Sequence, residues 1–152
     1  MLLSPHFTYE EMIFSEYATR MAIDNTPSEE IKNNLIITCQ KALEPIRSLA
    51  HIPIRVTSGY RSIDVNSGIG GVSTSQHCKG QAVDTIAIGI SLKEYYQLIK
   101  KFVALKQLVL DQIIFEFGQW VHVSYNEENN SKMFLIATHV NGKTIYTNDG
   151  VA

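Results

Sequence analysis

Apolar positions recur with two different periods along the chain, and the period predicts which segments are helical. From Ile31 onward, apolar residues are spaced three or four positions apart, which predicts one apolar stripe on a helix that ends near Leu49. The segment before it has a helix-start pattern, with Thr26 as the predicted N-cap, Pro27 at the first helical position and Glu29 closing a capping box. We therefore expect a long early helix.

Two further helices follow from capping patterns. Thr8 precedes Glu11 by three positions, which predicts a short helix over Tyr9–Ala18. Ser91 begins a third helix that extends to about Val103 and buries one apolar face. In the long helix, Pro45 is expected to cause a kink.

Later segments alternate with a period of two, which is typical of strands. Asn-Gly at 141–142 suits a type I′ turn and predicts a hairpin. Polar and glycine-rich runs predict loops at Asn66–Ser75 and Asn126–Lys132. The expected strands are Ile54–Ser58, Gln81–Ile88, Gln112–Phe115, Trp120–Ser124, Met133–Val140 and Lys143–Thr147. Together these elements predict an α+β fold in a single domain over residues 1–152, with a small, mainly antiparallel sheet and helices packed on it.

Composition narrows the classes of partner. The 152 residues are 45% hydrophobic and 18% charged, with a net charge of -2, so we expect no nucleic-acid partner. No segment has the length of an apolar membrane span and no signal peptide is evident, so we expect a protein that is cytoplasmic as synthesised. The two cysteines, Cys39 and Cys78, are too few for a disulfide scaffold, and Cys78 is expected to pack away from the site described next.

Three residues have the chemistry of a catalytic zinc site. His77, Asp84 and His122 offer two imidazoles and a carboxylate, the three-ligand count that leaves a fourth position for water. In the expected strand after Gly80, Asp84 shares a face with the small Ala82, so a preceding His77 can reach the same metal. His122 shares its strand face with Trp120 and Ser124, which directs it into a site rather than into the core.

Three linked motifs resemble those of the M15 peptidases, the zinc D-Ala-D-Ala carboxypeptidases and related peptidoglycan endopeptidases, and most closely the short subgroup of phage and bacterial genomes. The motifs are SGYRS at Ser58–Ser62, SxHxxGxAxD at Ser75–Asp84 and WxH at Trp120–His122. The resemblance implies a Hedgehog/DD-peptidase-like fold and a zinc cofactor. It also implies a peptidoglycan stem peptide, or a related D-amino-acid peptide, as the substrate.

The same resemblance implies a role for each matching residue. His77, Asp84 and His122 would hold zinc, while Arg61 would stabilise the scissile carbonyl as it becomes an oxyanion. Ser75 would help to bind substrate, and Trp120 would form a wall of the site that contacts it.

One position departs from the pattern. Many members place a catalytic carboxylate three residues before the second histidine, where this chain has Gln119. The nearest acid is Glu116, six residues before His122, and an even offset keeps both on one side of a regular strand. Glu116 is therefore the candidate general base, although Gly118 predicts a bend or bulge between Glu116 and His122.

Alternative functions stay open at this point. The enzyme could be a carboxypeptidase or an endopeptidase, and the loops would decide which bond it cuts. Because an amide cannot take up and return a proton, Gln119 also allows a non-catalytic module that holds zinc and binds cell-wall peptide. A different metal hydrolase such as an amidase fits the ligands, but it fits SGYRS and WxH less well. Without a signal peptide, phage-type release to the cell wall and a cytoplasmic role are both compatible with the sequence.

Overall fold

The computed structural model describes residues 1–151, which form eight strands and six α-helices. The strands are β1 (Leu2–Ser4), β2 (Phe7–Thr8), β3 (Ile54–Ser58), β4 (Ala82–Ala87), β5 (Gln112–Glu116), β6 (Trp120–Ser124), β7 (Met133–Val140) and β8 (Lys143–Val151). The helices are α1 (Tyr9–Ile13), α2 (Glu16–Met21), α3 (Glu29–Thr38), α4 (Glu44–Ala50), α5 (Ile63–Gly68) and α6 (Leu92–Ala104). A π-helical turn at Cys39–Leu43 links α3 to α4, and a 3₁₀ turn at Gln76–Lys79 precedes β4.

Six of the strands form one sheet in the order β3-β4-β6-β5-β7-β8, and β1 pairs with β2 separately. Every pair in the large sheet is antiparallel except β5 with β7, which is parallel. The fold is therefore α+β with a mostly antiparallel sheet and helices packed on it, which confirms the fold class expected from the sequence.

The two faces of this sheet have different chemistry. One face carries the apolar side chains of Val83, Val121 and Ile113, which lie in the core cluster together with Tyr95 and Ile99 of α6. The spacing of apolar residues in α6 thus correctly predicted its buried side. Because side chains alternate along a strand, the opposite face carries Asp84, His122 and Glu116; we call it the site face.

The early helices differ from the expected ones in two respects. The helix expected over Tyr9–Ala18 is two short helices, since Phe14 has extended dihedral angles and Ser15 caps α2. The N-cap of α3 is Ser28 rather than Thr26, because the Ser28 hydroxyl accepts from the Ile31 N–H. Pro27 therefore precedes the cap instead of occupying the first helical position.

The long helix is interrupted immediately before Pro45. The Glu44 N–H bonds to the Cys39 carbonyl, five residues back, so the chain makes a π-helical turn there. A proline has no N–H to donate to the carbonyl four residues before it, and its ring clashes with that carbonyl. Both effects account for an irregularity of the helix at this point.

The loop expected over Asn66–Ser75 is shorter than predicted, because its first residues are helical. Residues up to Gly68 belong to α5, which Ser62 caps by accepting from the Val65 N–H. The expected strand Gln81–Ile88 is slightly shorter, Ala82–Ala87. At the C-terminal hairpin the sequence prediction was correct, since Asn141 and Gly142 have φ values of 51° and 75° and Val140 pairs with Lys143.

Among the described residues, none of the helices combines the length and apolar character that a membrane crossing requires. The single-domain assignment over residues 1–152 stays a prediction.

Candidate metal centre

Three buried side chains from three separate elements meet on the site face. His77 comes from the 3₁₀ turn before β4, Asp84 from the middle of β4, and His122 from the middle of β6. Asp84 and His122 are directly paired across the β4–β6 ladder, so their side chains lie next to each other on one face. The ligand atoms of the three residues all lie within 4.8 Å of one another.

The backbone of the SGYRS segment fixes the orientation of His77. Its Nδ1 lies 2.8 Å from the Gly59 carbonyl oxygen, and because a carbonyl only accepts, Nδ1 carries the proton. Nε2 is left with a lone pair directed at Asp84 and His122. A hydrogen bond from the other ring nitrogen to a backbone carbonyl is how proteins fix the tautomer of a metal-binding histidine.

The glycine at position 80 allows the turn between His77 and β4. Gly80 has a φ of 72°, and a Cβ there would lie 2.8 Å from the Ile31 carbonyl oxygen of α3. A larger residue would therefore be strained and would push the turn away from the helix. The following Ala82 is fully buried, which is consistent with the small residue expected beside the cluster.

The spacing of the three ligand atoms fits a tetrahedral ion. His77 Nε2, His122 Nδ1 and Asp84 Oδ1 form a triangle in which all three sides measure 3.2 Å. Ligands bound about 2.0 Å from a tetrahedral zinc lie roughly 3.3 Å apart, so the triangle has the required size. Two imidazole nitrogens and a carboxylate oxygen are also the donor set that zinc accepts, and three ligands leave one position open.

Charges around Asp84 keep it in the form that binds metal. In the metal-free protein burial alone would raise the pKa of Asp84, but the charges of His77 and His122 when both rings are protonated, and their hydrogen bonds, hold it well below its usual range. In addition, Arg61 donates from a terminal guanidinium nitrogen to Asp84 Oδ2 at 3.0 Å and from Nε to the Ser58 hydroxyl at 3.2 Å. One Asp84 oxygen therefore faces the histidines while the other is held by Arg61.

Glu116 lies beside this triangle. Its Oε1 is 3.5 Å from His122 Nδ1. Glu116 and His122 share a face, but not because one regular strand runs through both of them. A hairpin connects them: Glu116 ends β5, and its partner Trp120 begins β6. Phe117 and Gly118 between them have φ values of 57° and 66°, the left-handed pair typical of a type I′ turn.

The surroundings of Glu116 favour its protonated form. Burial raises the pKa of Glu116 most, and the negative charge of Asp84 raises it further. The charge of His122 partly offsets this rise. Gln119, at the position where the family pattern has its acid, is exposed in the turn. The geometry thus brings Glu116, and not Gln119, to the cluster.

The remaining candidates occupy the rim of the centre. Ser75 caps the 3₁₀ turn, and its hydroxyl accepts from the His77 N–H at 3.2 Å, so it holds His77 in place. Trp120 is partly buried, and it pairs with Glu116 across the β5–β6 hairpin. Cys78 is not part of the cluster, and burial raises the pKa of its thiol.

Asn25 supports the site, although no sequence pattern pointed to it. Its side-chain amide donates to the carbonyls of Ile13 and Tyr60, and its carbonyl oxygen accepts from the Ser62 N–H at 2.7 Å. Asn25 thereby holds the segment that carries Arg61. Only the fold brings it there, since it lies more than thirty residues earlier in the chain.

Comparison with known proteins gives the chain a family. Among curated proteins, none matches it. The family model described as Peptidase M15 matches residues 5–124, which include Arg61, Glu116 and all three members of the cluster. Because this match covers most of the chain, the protein belongs to the M15 peptidase family.

Proposed function

We propose that the protein is a zinc-dependent peptidase that hydrolyses a peptide bond in the stem peptides of bacterial peptidoglycan, as a D-Ala-D-Ala carboxypeptidase or an endopeptidase. The observation that carries this proposal is the position of the Glu116 carboxylate, 3.5 Å from one corner of the His77–Asp84–His122 triangle. A binding site alone has no need of a partly buried acid at that place.

The three members of the triangle would hold the zinc. When bound, zinc lowers the pKa of water from about 15.7 to near 7 and so makes hydroxide available at neutral pH. Glu116 would take the proton from the water and deliver it to the leaving amine. Burial and the charge of Asp84 raise the pKa of Glu116 in the metal-free protein, and a general base works best when its pKa lies close to the working pH.

Arg61 would have two tasks. Its hydrogen bond to Asp84 orients a ligand, and its remaining N–H donors would stabilise the scissile carbonyl oxygen as negative charge develops on it. The side chain is 16% exposed, which leaves part of the guanidinium accessible to substrate.

Ser75 and Trp120 would bind the peptide on the rim. Trp120 offers an aromatic wall and Ser75 a hydroxyl group. The loop around Asn126–Lys132 and the segment Ile63–Thr74 would choose the bond. Since peptidoglycan lies outside the bacterial membrane, the protein would reach this substrate after export or phage-type release.

The Glu116→Gln variant tests this mechanism. We expect turnover to fall roughly 100- to 10,000-fold, because an amide cannot shuttle the proton. Bound zinc, measured by elemental analysis, should remain at the wild-type level because the triangle is intact. Glu30→Gln is the matched control, since Glu30 is an exposed acid in the first turn of α3 and its loss should leave turnover unchanged.

Gln119 motivates a second candidate function, a module that holds zinc and binds cell-wall peptide without cutting it. Wild-type protein that binds both zinc and stem peptide but shows no turnover would favour this module. Equal turnover by wild type and Glu116→Gln would contradict the assignment of the base.

A further inference from the structure

The C-terminal hairpin of β7 and β8 lies outside the family match at residues 5–124, yet it is built into the sheet beside Glu116. β7 runs parallel to β5 and places Ala137 opposite Glu116. The Phe117 N–H donates to the Ala137 carbonyl at 3.0 Å. The Phe117 ring also stacks on His139, with centroids 3.9 Å apart and planes 4° from parallel. These contacts join the turn after Glu116 to the hairpin.

One row of paired residues crosses the site face from β6 to β8. Trp120 pairs with Glu116, Glu116 with Ala137, and Ala137 with Tyr146. Paired residues of neighbouring strands project to the same face, so all four side chains belong to the site face. Ala137 is 1% exposed and has only a methyl group, so no bulky side chain of this row separates Glu116 from Tyr146.

Tyr146 is accessible to solvent, and the charges of Glu116 and Asp84 affect its phenol. The residue is 51% exposed on the edge strand β8, so a ligand can reach it. Partial burial, followed by the negative charges of Glu116 and Asp84, raises the pKa of Tyr146. The phenol therefore stays protonated at neutral pH and can donate a hydrogen bond.

We propose that Tyr146 is a substrate-binding residue of this site, whose phenolic O–H donates a hydrogen bond to a carbonyl oxygen of the bound peptide. This inference rests on the proposed peptidase function and adds the C-terminal hairpin to the site. Arg61 follows the edge strand β3 and Tyr146 lies on the opposite edge strand, so the two donors hold the peptide from both sides of Glu116.

Steady-state kinetics on a synthetic stem pentapeptide test this role with wild type, Tyr146→Phe and Tyr9→Phe. Removing the Tyr146 hydroxyl should raise KM and lower kcat/KM by about three- to tenfold, with kcat nearly unchanged, because the bond is made in the ground state and in the transition state alike. Tyr9→Phe is the matched control, because that ring lies near Lys32 on α3 and its hydroxyl has no role at the centre. Thermal unfolding should give the same midpoint for Tyr146→Phe as for wild type.

The outcomes separate this inference from the function on which it rests. An active wild type with unchanged KM in Tyr146→Phe overturns the role of Tyr146 and leaves the peptidase intact. A lowered unfolding midpoint with unchanged KM also overturns it, since Tyr146 would then be structural. A zinc-loaded wild type that cleaves no stem peptide overturns the proposed function and this inference with it.

Discussion

Gly59 determines the orientation of His77 although it has no side chain. Its carbonyl accepts from His77 Nδ1 at 2.8 Å and thereby directs Nε2 toward Asp84 and His122. The same residue packs against the end of α1, where the next residue, Tyr60, donates from its N–H to the Met12 carbonyl at 2.7 Å. A Cβ at Gly59 would overlap that carbonyl oxygen. The glycine thus makes both the loop packing and the histidine contact possible.

Gly59→Ala should weaken zinc binding by about 10- to 100-fold, the usual cost of losing a hydrogen bond that orients a metal-binding histidine. The reason is that the added methyl group displaces the segment from Met12 and moves the carbonyl away from His77. Competition with a fluorescent chelator measures the affinity. Gly70→Ala is the control for backbone strain alone, because its φ of 79° disfavours alanine although nothing lies within 4 Å of a Cβ at that position. Equal zinc affinity in both variants would show that the Gly59 contact does not orient the ligand.

The cluster of His77, Asp84 and His122 could be predicted from the sequence, whereas the residues that support it could not. The three residues stand in motifs that resemble those of the family, and alternation within each strand predicts which side chains share a face; the pairing of β4 with β6 then brings Asp84 and His122 together. Asn25 and the Gly59 carbonyl have no comparable signal, because their contacts depend on loop packing and not on side-chain type at a fixed spacing. Glu116 was the nearest acid by sequence, and the turn at Phe117 and Gly118 explains how it reaches the cluster.

The start of α3 shows how a cap is chosen among adjacent candidates. Thr26 and Ser28 both precede the helix, and both are exposed. Ser28 has extended dihedral angles and accepts from the Ile31 N–H at 3.3 Å, while Asp24 binds the Thr26 N–H. Thr26 therefore belongs to the turn before the helix.

Ser28→Ala should lower the free energy of unfolding by about 1 kcal/mol, because one helix-end donor loses its acceptor. Thr26→Ala should change it by less than about 0.5 kcal/mol. Urea unfolding followed by circular dichroism gives both values. A larger loss in Thr26→Ala than in Ser28→Ala would mean that the cap is at Thr26 in solution.

Elements with a long, regular pattern were predicted well, and short ones were not. The stripe on α6 and the Asn-Gly turn of the C-terminal hairpin gave clear signals. In contrast, α5 has six residues in a glycine- and serine-rich segment, and its helix depends on the Ser62 cap and on neighbours packed around it. The division between α1 and α2 likewise depends on the extended conformation of Phe14.

Across the whole molecule, two acids of the centre affect the stability of the metal-free protein in opposite directions. Asp84 has a lowered pKa, so its contribution is present above about pH 4 and is lost as the pH falls. Burial and the charge of Asp84 raise the pKa of Glu116, so the folded state holds that proton more tightly than the unfolded state. Glu116 therefore lowers stability as the pH rises above its ordinary pKa of 4.5.

Metal-free Glu116→Gln should accordingly unfold at a higher temperature than metal-free wild type at pH 7, by a few degrees at most, with the difference shrinking toward pH 4. The amide cannot ionise, so it avoids the cost of a buried charge next to Asp84. Differential scanning calorimetry at several pH values, with chelator present in every sample, gives this difference. A difference that did not change with pH would contradict the raised pKa of Glu116.

The measurement that tests the proposed activity most directly is incubation of the zinc-loaded protein with purified muropeptides, followed by mass spectrometry beside a chelator-treated sample. We expect a hydrolytic product that disappears with chelator. Loss of a terminal alanine would identify a carboxypeptidase, and separation at a cross-bridge an endopeptidase. Intact muropeptides after incubation with protein that demonstrably holds zinc would contradict the peptidase proposal and favour the peptide-binding module.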